Sequence, residues 1–141
     1  MVMVNGQEAA IIEEFALFDD WMGRYEHLIE LGKDLPLIDP DMQDDTHRIR
    51  GCQSQVWLHA FEENGKVFFK ANSDAAITKG LIALLVRVLS GQAPQAIIDA
   101  PLGFLDQIEM KEHLSPTRKN GLDAMIKQMK LYAVAFKQIT H

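Results

Sequence analysis

The sequence predicts a single α+β domain in which helices pack against a small antiparallel sheet. Two strand-like segments flank the dipeptide Asn64-Gly65, a nearly all-apolar helical segment follows them, and amphipathic helical patterns lie at both ends of the chain. Strands confined to one hairpin, with helices before and after it, predict separate layers rather than repeated β-α-β units. A parallel dinucleotide-binding sheet is therefore not expected. The length of 141 residues suits one domain.

Two amphipathic helices are predicted at the start of the chain. Asn5 and Glu8 have the spacing of a capping box, and apolar residues then recur at helical intervals, namely Ile11, Ile12, Phe15 and Phe18. Asp19 or Asp20 is expected to cap the second helix, and Gly32 is expected just beyond its C-terminus. The apolar stripe of this helix consists of Trp21, Tyr25, Leu28 and Leu31.

An exposed loop is predicted over residues 35–47, followed by a hairpin over about residues 55–72. The loop holds two prolines and four aspartates. Asn-Gly favours a two-residue turn between the predicted strands Val56–Phe61 and Lys66–Ala71, because both residues tolerate positive φ. This turn places Glu63 opposite Lys66. One face of the sheet is then wholly apolar and consists of Val56, Leu58, Ala60, Val67, Phe69 and Ala71, while the other is mixed and holds Trp57, His59, Phe61, Phe68 and Lys70.

Residues 75–90 are apolar almost all round and predict the central buried helix that packs on the sheet. Ser73 or Asp74 is expected to cap this helix, and Gly91 is expected to end it. A membrane span would need about 20 apolar residues. Lys79 and Arg87 interrupt this shorter segment, so a span is not expected.

Three more helical segments are predicted in the last third of the chain. Two short ones surround Ile97-Ile98 and residues 104–108, after prolines that punctuate the chain. Ser115 as N-cap and Pro116 at the first helical position begin the last helix. Its stripe contains Leu122, Met125, Ile126, Met129, Tyr132, Ala133 and Phe136.

The charge distribution argues against a nucleic-acid partner. The chain has 14 Lys plus Arg and 20 Asp plus Glu, a net charge of −6. Residues 1–47 hold 12 of the acids and only two of the bases, an asymmetry that suits docking on a protein of complementary pattern or an ordinary solvated face. With one cysteine no internal disulfide forms, and the N-terminus lacks the pattern of a secretory signal, so a cytoplasmic location is expected.

The single cysteine, Cys52, is the candidate reactive residue. It follows Gly51 and precedes a polar run, whereas a structural cysteine usually lies within an apolar pattern. Arg48 and Arg50 place positive charge nearby in sequence, and we expect them to lower the pKa of the thiol. The alternative is an inert, buried cysteine.

The numbers of histidines and cysteines exclude several kinds of site at Cys52. The five histidines have no paired spacing, so no metal site is expected, and one cysteine is too few for an iron–sulfur scaffold or a dithiol redox centre. A thiol hydrolase stays open, because His47 or His113 could reach Cys52 in the folded chain. A lone thiol that exchanges sulfur with another protein needs no cofactor and no base-and-oxyanion machinery.

The sequence resembles the SufE family and is also similar to its shorter relative CsdE. The resemblance rests on Gly51-Cys52-Gln53-Ser54-Gln55-Val56-Trp57, on Ser73-Asp74-Ala75-Ala76-Ile77 and on His113-Leu114-Ser115-Pro116-Thr117-Arg118, and it extends from about Trp21 to the last helix. It implies that residues 1–141 form one SufE-like sulfur-acceptor domain.

The resemblance also implies a function. Cys52 would take persulfide sulfur from a pyridoxal-phosphate cysteine desulfurase, SufS-like or CsdA-like, stimulate that enzyme, and deliver sulfur to an iron–sulfur assembly scaffold. The carrier itself would not be an enzyme, and it would be a monomer or a weak homodimer. The motif positions matched for partner binding and loop conformation are Gly51, Gln53, Gln55, Asp74 and Arg118.

The resemblance further implies a loop that shelters the thiol at rest and extends on docking. Asp74 is equally explained as a helix N-cap, whereas Arg118 near a helix start opposes the helix dipole and is harder to explain locally. A pure protein-binding module with an incidental thiol is the competing hypothesis, and the thiol hydrolase is the third.

Overall fold

The computed structural model describes residues 6–139 and has the predicted α+β architecture, a two-stranded antiparallel sheet among six helices. Short 3-10 turns occupy Pro40–Met42 and Lys111–His113. The elements are α1 (Gly6–Ala16), α2 (Trp21–Lys33), β1 (Val56–Glu63), β2 (Lys66–Ser73), α3 (Ala76–Leu89), α4 (Pro94–Asp99), α5 (Phe104–Gln107) and α6 (Pro116–Ile139). Within residues 6–139, no helix is long and apolar enough to cross a membrane.

The hairpin has the register that the Asn-Gly turn predicts. Glu63 pairs with Lys66 and Phe61 with Phe68, and Asn64 has a φ of 53°. Each strand is two residues longer than expected, because β1 continues up to the turn and β2 continues beyond Ala71 to Ser73. The six residues predicted on the apolar face are all buried, namely Val56, Leu58, Ala60, Val67, Phe69 and Ala71.

The two outer edges of the sheet are covered to different extents. The outward N–H groups of β2 donate to the backbone of Gln92, the hydroxyl of Ser90 and the backbone of Pro36. On β1, Leu58 N–H donates to the carbonyl of His47 at 2.8 Å. Neighbouring chain therefore covers β2 along most of its length and β1 only at its start.

The predicted exposed loop over residues 35–47 is partly wrong. Leu35 and Ile38 are buried, and Ile38 N–H donates to the carbonyl of Ala71 at 3.2 Å. The segment lies along β2, which needs hydrogen-bond partners for its outward backbone groups. The pattern of prolines and acids reflects only the exposed residues of this segment.

The helix α3 is the buried centre of the domain, as predicted, and ten of its 14 residues are buried. The predicted caps are wrong, since Ala75 is the N-cap residue and neither Ser73 nor Asp74 bonds to the first turn of the helix as a cap. Both side chains bond instead to the backbone of Gln55. Gly91 follows the end of α3 with a φ of 83°, as expected for a residue that ends a helix.

The second helix does not end at Gly32, contrary to the prediction. α2 continues to Lys33 and Asp34 is its C-cap residue. Gly32 lies where α2 crosses α3, and a Cβ atom there would be 3.1 Å from the backbone N of Gly80. A Cβ atom at Gly80 would be 2.8 Å from the carbonyl carbon of Leu28. The two glycines therefore permit a close backbone crossing.

At the N-terminus, Asn5 lies outside the described residues. α1 ends at Ala16, so Phe18 lies beyond the helix, where its ring stacks on His27. Of the two candidate caps for α2, Asp20 is the N-cap residue, and its carboxylate accepts from Gly23 N–H at 2.8 Å.

At the C-terminus, Ser115 accepts a hydrogen bond from Arg118 N–H at 3.3 Å, which agrees with the predicted cap of α6. The residues of the predicted stripe that are buried are Leu122, Met125, Met129 and Ala133. Through this stripe α6 packs against α4 and α3, so its first turn lies next to the start of α3.

Candidate functional site

The Cys52 thiol lies on a loop that joins the segment beside β1 to the start of that strand. Gly51 has a φ of 89°, a left-handed conformation that favours glycine and turns the chain before the cysteine. Cys52 is half-buried, and its Sγ lies 3.6 Å from the carbonyl oxygen of Gly121 on α6. The thiol is therefore a weak donor to a main-chain acceptor in this conformation.

A cavity of about 270 Å³ lies beside the thiol. It is bordered by the loop, the first two turns of α3 and the first three turns of α6. The lining residues are Cys52, Gln53, Ser54, Thr78, Leu81, Ser115, Thr117, Arg118, Gly121 and Met125. Leu81 and Met125 are buried and give the cavity an apolar part, while hydroxyl side chains and Arg118 give it a polar part.

The electrostatic surroundings of this cavity favour an anion. The N-termini of α3 and α6 both border it, and unpaired N–H groups give a helix N-terminus a partial positive charge. Arg118 adds a full positive charge at the same place and is exposed. A thiolate or a persulfide anion at Cys52 would therefore be attracted to this end of the molecule.

Burial nevertheless raises the pKa of the Cys52 thiol in the resting conformation. The expectation that Arg48 and Arg50 lower this pKa is wrong for this state. Arg48 pairs through its backbone with Trp57, and Arg50 is exposed. Desolvation of the sulfur disfavours the thiolate relative to the neutral thiol in this conformation.

The second half of the loop is anchored to the end of β2. The Asp74 carboxylate accepts from Gln55 N–H at 3.0 Å, and the Ser73 hydroxyl donates to the carbonyl of Gln55 at 2.8 Å. Asp74 N–H also donates to that carbonyl at 3.3 Å. Three bonds thus fix one residue at the end of the loop, and Asp74 holds the loop rather than capping α3.

The residues predicted for the site fall into two groups. Cys52, Gln53 and Arg118 line the same cavity. Gly51, Gln55 and Asp74 do not line it: Gly51 and Gln55 lie at the two ends of the loop, and Asp74, just after β2, bonds to Gln55. A Cβ atom at Gly51 would be 3.4 Å from the methyl group of Ala124 on α6, so the start of the loop packs closely on this helix.

Sequence reasoning missed two residues that define the seat of the thiol. Thr78 is a buried polar residue in the first turn of α3, and Gly121 supplies the carbonyl that faces the sulfur. A Cβ atom at Gly121 would lie 3.6 Å from Sγ, an ordinary contact. A hydroxyl in an almost wholly apolar helix, and a glycine inside a long helix, were the available signals.

The four histidines among residues 6–139 do not provide a base next to Cys52. Among the described residues, none that lines the cavity is a histidine. His47 bonds to the carboxylate of Asp44 at 2.8 Å, and the ring of His113 stacks on Trp21 with 3.7 Å between centroids. The geometry therefore does not place the nucleophile and base of a thiol hydrolase together.

With this geometry established, comparison with known proteins identifies the family. Residues 9–133 match the family model described as SufE, an Fe-S metabolism associated domain. The chain belongs to the SufE family. The family is associated with iron–sulfur metabolism, as the resemblance of the sequence motifs predicted.

Individual relatives cover most of the chain. An uncharacterized SufE-like protein of Rhizobium meliloti is 41% identical over 85% of this chain and 89% of its own length, and one of Synechocystis is 36% identical over 92% and 81%. SufE-like protein 1 of Arabidopsis thaliana, described as chloroplastic/mitochondrial, is 37% identical over 88% of this chain and 34% of its own. The solution structure of a hypothetical protein from Thermus thermophilus superposes with a TM-score of 0.77, covering 99% of this chain and all of the other at 26% identity.

Proposed function

We propose that this SufE protein is a sulfur carrier that accepts persulfide sulfur on Cys52. The donor is a pyridoxal-phosphate-dependent cysteine desulfurase of the SufS or CsdA type, which the carrier stimulates by removing its product. The recipient is an iron–sulfur assembly scaffold. The observation that carries the proposal is a lone cysteine whose thiol borders a cavity at two helix N-termini, with no histidine among the described lining residues.

The transfer is a thiol–persulfide exchange. The Cys52 thiolate attacks the terminal sulfur of the donor persulfide, a new S–S bond forms at Cys52, and the S–S bond of the donor breaks. The electron pair of the broken bond leaves with the donor sulfur as a thiolate, which then takes up the proton that Cys52 lost. One sulfur atom moves and no external oxidant or reductant is used.

Docking must change the surroundings of the thiol before this step. Burial raises the pKa of Cys52 at rest, and only the thiolate is a good nucleophile. Movement of the loop away from α6 would expose the sulfur and remove the desolvation that keeps it protonated. The anchors at Gln55 would restrict this movement to the part of the loop that carries Gly51 and Cys52.

We assign to Arg118 a direct contact with the partner desulfurase. Its backbone N–H donates to the Ser115 hydroxyl, while the exposed guanidinium borders the cavity, where it can meet a carboxylate or the persulfide anion. Gln53, on the loop, lines the same cavity. We assign Gly51 and Gln55 to loop conformation, and Asp74 to loop anchoring and to partner contact.

The central experiment measures sulfur on the protein directly. The carrier is mixed with a cysteine desulfurase and cysteine, and intact mass is recorded without reductant. We expect a gain of one sulfur atom on the wild-type chain and none on Cys52→Ser. No gain on the wild type, or an equal gain on Cys52→Ser, would refute the proposal.

A second measurement tests Arg118 against a neighbour of equal charge. Arg118→Ala should slow sulfur acceptance and leave thermal unfolding unchanged, whereas Lys119→Ala should leave both unchanged, since Lys119 is exposed and does not line the cavity. Equal effects of the two substitutions would show that Arg118 has no role in sulfur acceptance beyond that of an ordinary exposed charge. If Cys52→Ser has no effect, so that the variant still binds the desulfurase and stimulates it, the pure protein-binding module would be favoured.

The proposed setting is the cytoplasm, with the whole of residues 1–141 acting as one sulfur-acceptor domain. The Arabidopsis relative, described as chloroplastic/mitochondrial, is a much longer protein of which this chain spans about a third. We propose no metal or cofactor for the carrier itself.

A further inference from the structure

The cavity beside Cys52 contains a buried hydroxyl group that has no partner in the resting protein. Thr78 lines the cavity and is only 5% exposed, yet no hydrogen bond of its hydroxyl is found among residues 6–139. A buried threonine in a helix commonly bonds to a carbonyl of the preceding turn, and a buried polar group without any partner is rare. The hydroxyl is therefore left with only the contents of the cavity as a partner.

The helix that carries Thr78 also begins without a cap. Ala75 is its N-cap residue and makes no side-chain cap, while the side chains of Ser73 and Asp74 bond to the loop instead. Within the described part of the chain, the backbone N–H groups of residues 76–78 have no acceptor. The positive end of the α3 dipole and these N–H groups thus lie at the same place as the Thr78 hydroxyl.

The lining of the cavity combines these donors with positive charge. Arg118 lines it, and none of the described lining residues is Asp or Glu, although the chain has a net charge of −6. Ser115 and Thr117 add two hydroxyls at the start of α6. The volume of about 270 Å³ leaves room for a small anion beside one additional sulfur atom, since one water in the liquid takes about 30 Å³. Several donors around one space suit an anion with several acceptor atoms, that is, a small oxyanion.

We infer that this cavity binds sulfite, and that a loaded Cys52 passes its sulfur to sulfite as well as to a protein. The cavity places an oxyanion next to a reactive sulfur atom, and sulfite is the small oxyanion whose own sulfur atom carries a nucleophilic lone pair. Sulfate and phosphate have the same acceptor oxygens but no such lone pair. The sulfur transfer rests on the proposed function, because it needs a persulfide on Cys52, whereas the binding of sulfite does not.

The transfer to sulfite forms one S–S bond and breaks another. The lone pair of the sulfite sulfur attacks the terminal sulfur of the Cys52 persulfide, and the new S–S bond is that of thiosulfate. The S–S bond of the persulfide breaks, and its electron pair returns to Sγ of Cys52, which takes up the proton of the persulfide. The sulfite sulfur is oxidised and Sγ is reduced, so no other oxidant or reductant is used. The Thr78 hydroxyl and Arg118 hold the sulfite oxygens for this attack.

Titration of sulfite into the unloaded chain tests the binding. In a Cys52→Ser background, where no sulfur chemistry interferes, we expect saturable NMR shifts of the amides at the start of α3, with a dissociation constant in the millimolar range. Adding Thr78→Val should weaken binding by about tenfold, because it removes a hydroxyl donor to a charged group and keeps nearly the same shape. Thr46→Val is the control, since Thr46 is exposed and does not line the cavity. Absence of saturable binding, or equal binding after Thr78→Val, would overturn the inference.

The sulfur transfer is tested on chains that already carry one extra sulfur atom, as confirmed by intact mass. After the desulfurase and cysteine are removed, sulfite is added, and the loss of the extra sulfur and the appearance of thiosulfate are followed. On the wild type the rate should saturate with sulfite concentration, and added sulfate should slow it. Thr78→Val should lower the rate at low sulfite by about tenfold, and Thr78→Ser, which keeps the hydroxyl, should restore it.

The two proposals fail in different ways. A rate that rises linearly with sulfite and is equal in the wild type and Thr78→Val would show unassisted attack on the persulfide and would overturn the transfer to sulfite, while the carrier function would stand. A wild-type chain that gains no sulfur from the desulfurase would contradict the carrier function, and with it the transfer to sulfite. The titration decides the binding of sulfite in either case.

Discussion

Gly80 and Gly121 both lie inside helices, but the absence of a side chain serves a different purpose at each. At Gly80 a Cβ atom would be 2.8 Å from the carbonyl carbon of Leu28, so α2 and α3 cross with no spare room. At Gly121 a Cβ atom would be 3.6 Å from the Cys52 sulfur, an ordinary contact. The crossing is a fixed part of the scaffold, whereas the seat of the thiol leaves room for movement.

The largest expected effect is at the crossing. Gly80→Ala forces a methyl group against the backbone of α2, where only a shift of a whole helix relieves the overlap, and should cost about 3 kcal/mol or more of unfolding free energy. Urea denaturation measures this loss of unfolding free energy. Gly6→Ala is the control, since a Cβ atom at Gly6 meets nothing within 4 Å, and it should leave stability unchanged or slightly raised. Equal stability of the two variants would contradict a tight crossing.

The next effect concerns the thiol in its seat. Because burial raises the pKa of Cys52, alkylation by iodoacetamide near pH 7 should be about tenfold slower in the native chain than in urea. A raised pKa means that the folded state binds the proton more tightly, so the seated thiol stabilises the fold below the pKa of an unfolded cysteine, about 8.5. This stabilisation is lost as the pH rises through the pKa of the folded state.

The pH dependence of alkylation provides the check on that sign. The native rate should keep rising at a pH where the rate of the unfolded chain has levelled off. A native rate that levels off at a lower pH than the unfolded rate would show that nearby charge, as from Arg48 and Arg50, dominates after all.

A smaller effect is expected at the anchor of the loop. Asp74→Ala removes the acceptor of Gln55 N–H and should lower the unfolding free energy by about 1 kcal/mol, while Cys52 alkylation becomes faster. Asp45→Ala removes the same charge from an exposed residue and is the control. If the two variants alkylate at the same rate, the bond to Gln55 does not hold the thiol in its seat.

The smallest effect is at Gly121 and has the opposite sign to that at Gly80. Gly121→Ala should raise the unfolding free energy by about 1 kcal/mol, because alanine is a much better helix former than glycine. The added methyl group should also slow Cys52 alkylation by about twofold through its contact with the sulfur. A loss of stability here comparable to that in Gly80→Ala would remove the distinction between the two glycines.

The sequence contains the information for the hairpin because its determinants are local. The Asn-Gly turn fixes the pairing of Glu63 with Lys66, and the pairing then decides which residues share a face. The caps at Asp20 and Ser115 were predicted for the same reason, since each side chain bonds to a residue three positions away. Fold class and family followed from such local patterns.

Elements that depend on contacts between distant segments were predicted less well. Gly32 has the sequence context of a helix end, but the crossing with Gly80 decides its role. Ser73 and Asp74 have the chemistry of N-caps, yet the backbone of Gln55 offers them partners that local reasoning does not see. The side chains bond to the backbone N–H and C=O groups of this distant loop instead of to the first turn of the helix.

The candidate site shows the same division. Cys52, Gln53 and Arg118 were singled out by their motifs and share one cavity, whereas Thr78 reaches it only because α3 and α6 begin at the same place. The effect of Arg48 and Arg50 was misjudged because proximity in sequence says nothing about desolvation. Burial of the sulfur is a property of the packed fold.

The resting contact of Cys52 has a consequence for how such a protein can change over evolution. The acceptor facing its sulfur is the main-chain oxygen of Gly121, and no replacement of a side chain deletes a carbonyl. Point mutation can therefore change the time that the sulfur spends against α6 only by altering the turn at Gly51, the hydrogen bonds that hold Gln55, or the side chains around the cavity. Substitutions therefore cannot remove the acceptor of the resting conformation, but they can change how long Cys52 stays in it.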